Sequence, residues 1–332
     1  MKISIELAPR LPLWALRILS SMAEKVGFEA VWLSEHYFNR SSVVAAAYLL
    51  SHLKRLAVGV GVLNPYVLHP AVMAQVAASL TEVGPGRVML GVGAGDVTTL
   101  EALGYLRKDA VERVRACVRT VKGLLQGGGL NDGLRLDFRA ASQVPVYVAA
   151  QGPKMLELAG EVGDGVLINS ANLPHLRDSV GLVRSSASRS GRSVSVEAEL
   201  LVSVHEDSKK AIKTVKPYVA VMLAGSSADF ARVLGFDEDL LSRLKVLVGR
   251  GRWLDVQELI PDDVASALSV AGNPREFATA LEGLPIEELD GLVLGGPIGP
   301  NPRPAIVEVH RALMRSISRG ARSAPRSSAQ RP

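Results

Sequence analysis

"MLGVGAGD", residues 89–96, decides how this chain is read. Three glycines alternate after an apolar run, and an aspartate follows at once. A dinucleotide-binding turn needs G-x-G-x-x-G opening a helix, with an acidic residue about 20 positions further on. Gly91, Gly93 and Gly95 instead give G-x-G-x-G, with Asp96 adjacent. The spacing speaks against a pyrophosphate-binding turn and leaves a strand that ends in a tight glycine bend. Its neighbours along the chain decide which fold holds such a strand.

Seven other runs of the same kind occur: "KISIEL" (2–7), "AVWLSE" (30–35), "AVGVGVL" (57–63), "VPVYVAA" (144–150), "GVLIN" (165–169), "VEAELLVSV" (196–204) and "GLVLGG" (291–296). Most are apolar throughout instead of alternating, as parallel strands covered on both faces are. Between them lie stretches with apolar residues three or four apart. Leu16, Leu19, Ala23 and Val26 follow Pro12 and stop at Gly27; Met73, Val76, Leu80 and Val83 follow Pro70. Val111, Val114, Val118 and Val121 run toward "GGG" (127–129), and Leu176, Val180, Val183 and Ala187 end at Gly191. Proline before and glycine after are helix start and stop signals. Strand-then-helix units repeated eight times predict an α/β fold, a (β/α)8 TIM barrel, over residues 1–318. The long stretch 205–288 exceeds any single crossover helix and predicts a helical insertion after strand seven, with "FARVLGFDEDLLSRLKVLVGRG" and "IPDDVASALSVAG" as its helices.

Composition narrows the function classes. The 332 residues are 48% hydrophobic and 21% charged, enough apolar material for a sizeable core. No apolar run approaches the 18 or more residues of a membrane span, and Glu6 interrupts the first one, so no signal segment is expected. One cysteine, Cys117, excludes an internal disulfide and a cysteine-based metal cluster. A cytoplasmic protein without a metal is the expectation. The net charge of +5 rests largely on four arginines in "RGARSAPRSSAQRP" (319–332), which reads as a disordered tail. The remaining body is near neutral and lacks a basic stripe with interleaved aromatics, so no nucleic-acid partner is expected.

Barrel chemistry collects where strands emerge at their C-terminal ends. Those exits carry Glu6, "SEHY" (34–37), "GVLNP" (61–65), "GAGD" (93–96), "AQGPK" (150–154), "NSAN" (169–172) and "GGPIGP" (295–300). Glycine-rich exits let a planar ligand or a phosphate come close to the main chain. Glu6 follows Ile3 and Ile5 at the end of strand one, where a carboxyl is partly desolvated and suited to acid–base work.

These segments, in this order, resemble the methylenetetrahydromethanopterin reductases, coenzyme F420-dependent members of the bacterial-luciferase-like superfamily. The resemblance rests on "IELAP" (5–9), "FEAVWLSEHY" (28–37), "GVGVLNPYVLHPAV" (59–72), "LGVGAGDVTTLEALGY" (90–105), the stretch 144–174 around "AQGPKM", and "GGPIGP". It covers residues 1 to about 315 and leaves out the tail. It implies a luciferase-like barrel that moves a hydride between the deazaflavin F420 and the one-carbon unit of a methylene-pterin, with no metal. It also implies a homodimer or homotetramer.

By the same resemblance Glu6 is the proton donor and Asp96 a second carboxylate that shares the proton or orients the pterin. Glu35 stands where the family has aspartate, and His36 is placed near the ring; both complete the catalytic set. Gly61, Val62, Leu63 and Asn64 match the bulge where the family carries a non-proline cis peptide behind the ring, here Gly61–Val62. Gln151, Gly152, Pro153 and Lys154 are assigned to the ribityl-phosphate side of the coenzyme, at a helix start that favours anions. Asn169 beside them is assigned to the ring edge or the ribityl chain, and "MLAGSS" (222–227) to the approach to the ring. Other readings stay open: an FMN-dependent luciferase-like monooxygenase, another F420-dependent dehydrogenase, or a barrel kept only for binding.

Overall fold

The computed structural model describes residues 1–130, 133–169, 173–226 and 228–323. Among the described residues nine parallel strands are formed: β1 (Lys2–Glu6), β2 (Ala30–Leu33), β3 (Ala57–Leu63), β4 (Val88–Val92), β5 (Val146–Ala150), β6 (Gly165–Ile168), β7 (Ser195–Val204), β8 (Val270–Gly272) and β9 (Gly291–Ile298). Eight of them pair in a closed ring, β1 to β7 in sequence order, then β9, which returns to β1. The chain folds as the (β/α)8 barrel that the strand spacing predicts.

Helices cover the ring: α1 (Leu13–Val26), α2 (Ser42–His52), α3 (Pro70–Val83), α4 (Val97–Ala102), α5 (Ala110–Leu125), α6 (Pro153–Val162) and α7 (Leu176–Arg189). Their starts and stops follow local chemistry. Gly27 closes α1 in the left-handed conformation at φ 113°, and Pro70 opens α3 behind a His69 cap. After β7 come α8 (Ser208–Ala224), α9 (Ala228–Val233), α10 (Glu238–Gly249), α11 (Trp253–Leu259), α12 (Asp262–Ala267) and α13 (Pro274–Glu282). The last helix, α14 (Pro302–Ser323), continues into the segment read as a tail; residues 324–332 lie outside the described residues.

The stretch "IPDDVASALSVAG" is not all helix. Its last residues form β8, which pairs Val270–Gly272 with Val202–Val204. The cause is the length of β7. Its pairing with β6 ends at Ala198, so its upper half presents an open edge, and β8 fills it. Around it the insertion builds its own apolar cluster, with Val219, Leu223, Phe236, Leu244 and Ile260 packed with Leu201 of β7.

Inside the ring, glycines alternate with large side chains. Trp32 and Tyr147 meet edge-on at 5.2 Å between centroids. Each lies over a glycine of the next strand: a Cβ on Gly59 would stand 2.2 Å from Trp32 Cε3, and one on Gly165 2.2 Å from Tyr147 Cε1. Below them Glu197, fully buried, accepts hydrogen bonds from Tyr147 Oη at 2.8 Å and Lys2 Nζ at 3.3 Å. Burial first, then the Glu197 charge, pushes the Tyr147 phenol far up, so it remains a donor.

The packing predicts opposite signs for two alanine substitutions. Gly165→Ala forces a methyl into the Tyr147 ring and is expected to cost about 1–3 kcal/mol. Gly181→Ala, in the middle of α7 with nothing within 4 Å of its Cβ, is expected to stabilise by about 0.5–1 kcal/mol through helix propensity. Urea denaturation of the two variants reads both.

Candidate active site

The C-terminal rim is shaped by one steric arrangement between β3 and β4. The β3–β4 register shifts between Val60 and Leu63, and the Gly61–Val62 peptide there is cis. All three glycines of "GVGAGD" answer to this bulge. A Cβ on Gly91 would lie 3.2 Å from Gly61 Cα, and one on Gly93 2.9 Å from Val62 Cγ2. Gly95, at φ 73°, would drive a Cβ to 2.0 Å from Asn64 Nδ2. The glycine turn therefore admits the neighbouring strand's bulge, and no phosphate is needed to explain it.

Asn64 is the pin of this corner. It is buried, donates from Nδ2 to the Ala94 carbonyl at 3.2 Å, and accepts the Tyr66 N–H at Oδ1 at 2.8 Å. Each end of its amide makes one bond to the protein, which holds Leu63 and the bulge in place. Gly61 and Val62, by contrast, are partly exposed at the rim.

Of the four acid–base candidates, Glu6 is half-buried and faces the interior at the top of β1. Its Oε2 lies 2.7 Å from the point where a Cβ of Gly295 would stand. Glu199 of β7 comes to the same point from the other side, its Oε1 at 2.8 Å. The sequence reading missed Glu199. Its signal was present as the alternation Glu197, Glu199, Leu201 within an otherwise apolar strand, which puts two acids on the inner face. The insertion supplies the wall above them. Tyr218 of α8 stands beside Gly296 and close to both Glu6 and Arg10; burial chiefly raises its phenol, against the pull of Arg10.

Asp96 is exposed at the exit of β4, its Oδ1 accepting the Thr99 N–H at 2.7 Å as the cap of α4. Glu35 is consumed by its own loop: Oε1 accepts the Tyr37 N–H at 2.9 Å, and Oε2 accepts Ser42 N and Oγ at 3.0 and 2.7 Å. It fixes the start of α2 and holds Tyr37 at φ 57°. His36 is exposed, and its ring has no hydrogen-bond partner among the described residues. The Tyr37 phenol is buried and feels the charges of Glu35 and Asp96. Burial foremost, then those two charges, pushes it far up. The Asn64 N–H pulls the other way without the geometry of a hydrogen bond.

Gln151, Gly152, Pro153 and Lys154 are all exposed at the start of α6, which has no side-chain cap. Gln151 donates to the Asn169 carbonyl at 2.9 Å, joining the exits of β5 and β6. Asn169 is half-buried; the rest of "NSAN" (170–172) and Ser227 of "MLAGSS" lie outside the described residues. The open helix start can take an anion at its free N–H groups. The space over Gly93 is taken by Val62 and that over Gly295 by Glu6 and Glu199, so the surface a flat ring meets at this rim is side chain, with Val62 partly exposed. Among the described residues no group of three or more His, Cys, Asp or Glu converges as a metal site would need. No described helix is long and apolar enough to cross a membrane.

Comparison with known proteins agrees with this geometry. Residues 8–286 match the family of luciferase-like monooxygenases. The 5,10-methylenetetrahydromethanopterin reductase of Archaeoglobus fulgidus is 30% identical over 95% of this chain and 99% of its own length. That of Methanolobus tindarius is 31% identical over 95% and 100%. The solved coenzyme F420-dependent tetrahydromethanopterin reductase of Methanopyrus kandleri superposes with a TM-score of 0.84 at 27% identity, covering 95% of this chain and 98% of that one. An F420-dependent secondary alcohol dehydrogenase, 18% identical with a TM-score of 0.79, shares the fold. The chain belongs to the luciferase-like monooxygenase family and, within it, to the methylenetetrahydromethanopterin reductases.

Proposed function

We propose that this enzyme transfers a hydride from reduced coenzyme F420 to a methylene-pterin, giving the methyl-pterin, with Glu6 as the acid. The observation that carries the reading is a half-buried carboxyl, Glu6, at the top of β1, in a barrel whose rim also presents the partly exposed Gly61–Val62 bulge. When bound, the deazaflavin supplies the hydride. The protein's own part is position and a proton. Opening the methylene bridge needs a proton on a pterin nitrogen, and Glu6 is the residue placed to deliver it. Val62 and Gly93 would back the ring, and the uncapped start of α6, with Gly152 and Lys154, would take the coenzyme's phosphate. Asp96, with one oxygen engaged by Thr99, has the other to orient the pterin. Gln151 and Asn169 brace the exits beside the phosphate.

We place a self-contact on the outer face of α1, α2 and α3. Trp14, Val44 and Val72 are exposed on these neighbouring helices, and no charge stands among them on α2. A homodimer would cover them, and we place that dimer in the cytoplasm.

Three measurements test the reading. Titration with oxidised F420 is expected to change its absorbance with saturation, while FMN leaves the spectrum of the mixture additive; the reverse would favour a monooxygenase. Glu6→Gln is expected to lower kcat by about 10²–10⁴-fold with thermal stability kept, whereas Asp96→Asn keeps the α4 cap and raises KM for the pterin about tenfold or more. Full turnover by the Glu6 variant would remove the proposed acid. Val44→Asp is expected to shift the mass by light scattering from dimer to monomer.

A further inference from the structure

Tyr218 of the insertion has no part in the roles assigned so far. Helix α8 turns Val215, Val219 and Leu223 into the insertion's apolar cluster, where all three are fully buried. Tyr218 stands at the edge of that stripe, packed against the cluster but only half-buried. It lies beside β9: its Cδ1 is 3.7 Å from the point where a Cβ of Gly296 would stand. There the phenol feels two charged groups of the β1 exit, the Arg10 guanidinium and the Glu6 carboxyl.

Helix α8 is interrupted just before this residue. Pro217 has no N–H to give to the Lys213 carbonyl. Gln257 of α11 donates to that carbonyl instead, from Nε2 at 3.4 Å. A second helix of the insertion thus braces the turn that carries Tyr218.

A phenol packed among apolar side chains usually finds a partner for its O–H. Tyr66 donates to the Lys108 carbonyl and Tyr147 to Glu197. Tyr218 has no hydrogen bond among the described residues. Tyr37 lacks one too, but its oxygen is sealed from solvent. Burial above all keeps the Tyr218 phenol neutral, so it has a proton to donate.

We propose that Tyr218 is a substrate-contact residue, whose phenol donates a hydrogen bond to the pterin beside Glu6 and sets how tightly that pterin is held. This rests on the reductase reading. The coenzyme's assigned contacts belong to the exits of β3 and β5, whereas Tyr218 and Glu6 belong to β9 and β1, which are neighbours in the ring. The free donor therefore falls to the pterin. No bond is made or broken at the phenol; it holds the pterin in place while Glu6 delivers the proton.

Calorimetric titration of the protein saturated with oxidised F420, using methylene-tetrahydromethanopterin, tests the contact. Oxidised coenzyme has no hydride to give, so binding is read without turnover. Tyr218→Phe keeps the ring in the cluster and removes only the oxygen. It is expected to raise the Kd of the pterin about fivefold or more, with the Kd of oxidised F420 within about twofold. In turnover KM for the pterin is expected to rise with kcat nearly kept. An unchanged pterin Kd in the variant, with wild-type protein active, sinks the role of Tyr218 alone. Wild-type protein that neither binds nor turns over methylene-pterin sinks the reductase reading, and the proposal with it. A structure of the wild-type ternary complex decides even if the variant folds poorly: a Tyr218 oxygen farther than about 3.5 Å from every polar atom of the pterin overturns the proposal.

Discussion

The site depends on how closely β3 and β4 approach at their upper ends. Val62 and Asn64 push toward β4, and only a strand without side chains at positions 91, 93 and 95 can receive them. Every consequence at this corner follows from that contact. The bulge brings Gly61 and Val62 to the rim, Asn64 is locked by Ala94 and Tyr66, and the β4 exit turns at Gly95 to start α4 at Asp96. Elsewhere in the barrel the same device recurs with another purpose. Gly59 and Gly165 make room for Trp32 and Tyr147 in the plug of the lower barrel, while Gly295 makes room for two carboxyl groups.

The barrel interior is divided by depth. In the lower layers a large aromatic pair and the Lys2–Glu197–Tyr147 cluster fill the space, with each polar contact made between side chains of different strands. Buried charge of this kind adds little net stability but is costly to break, since an unpaired Glu197 would remain in the core. Toward the top, glycines replace the large residues and their neighbours fill the space, Val62 over Gly93 and Glu6 with Glu199 over Gly295. The insertion walls one side of this layer through Tyr218, beside Gly296.

Much of the fold was legible in the sequence because its signals are local. Continuous Val, Ile and Leu runs mark buried parallel strands, and proline or glycine marks the ends of α1 and α3. What escaped was long-range. The β8 strand exists because β7 outlasts β6, which no pattern within 260–272 reveals. The roles of Glu35 and Asn64 followed family position, yet their partners, Ser42 and Tyr66, lie a few residues on and turn both into braces. Glu199 was hidden because its significance comes from Gly295, almost a hundred positions away. Asp96 was read as a second acid of the site, and its part as the cap of α4 shows only once the Thr99 N–H is in place.

A structure of the protein with oxidised F420 tests the account most directly. The ring should lie flat against Val62 at the rim with Glu6 within reach of the bound pterin, and the phosphate toward Gly152 at the start of α6. A ring seated outside the β3–β4 corner, or separated from Glu6 by another side chain, would contradict it.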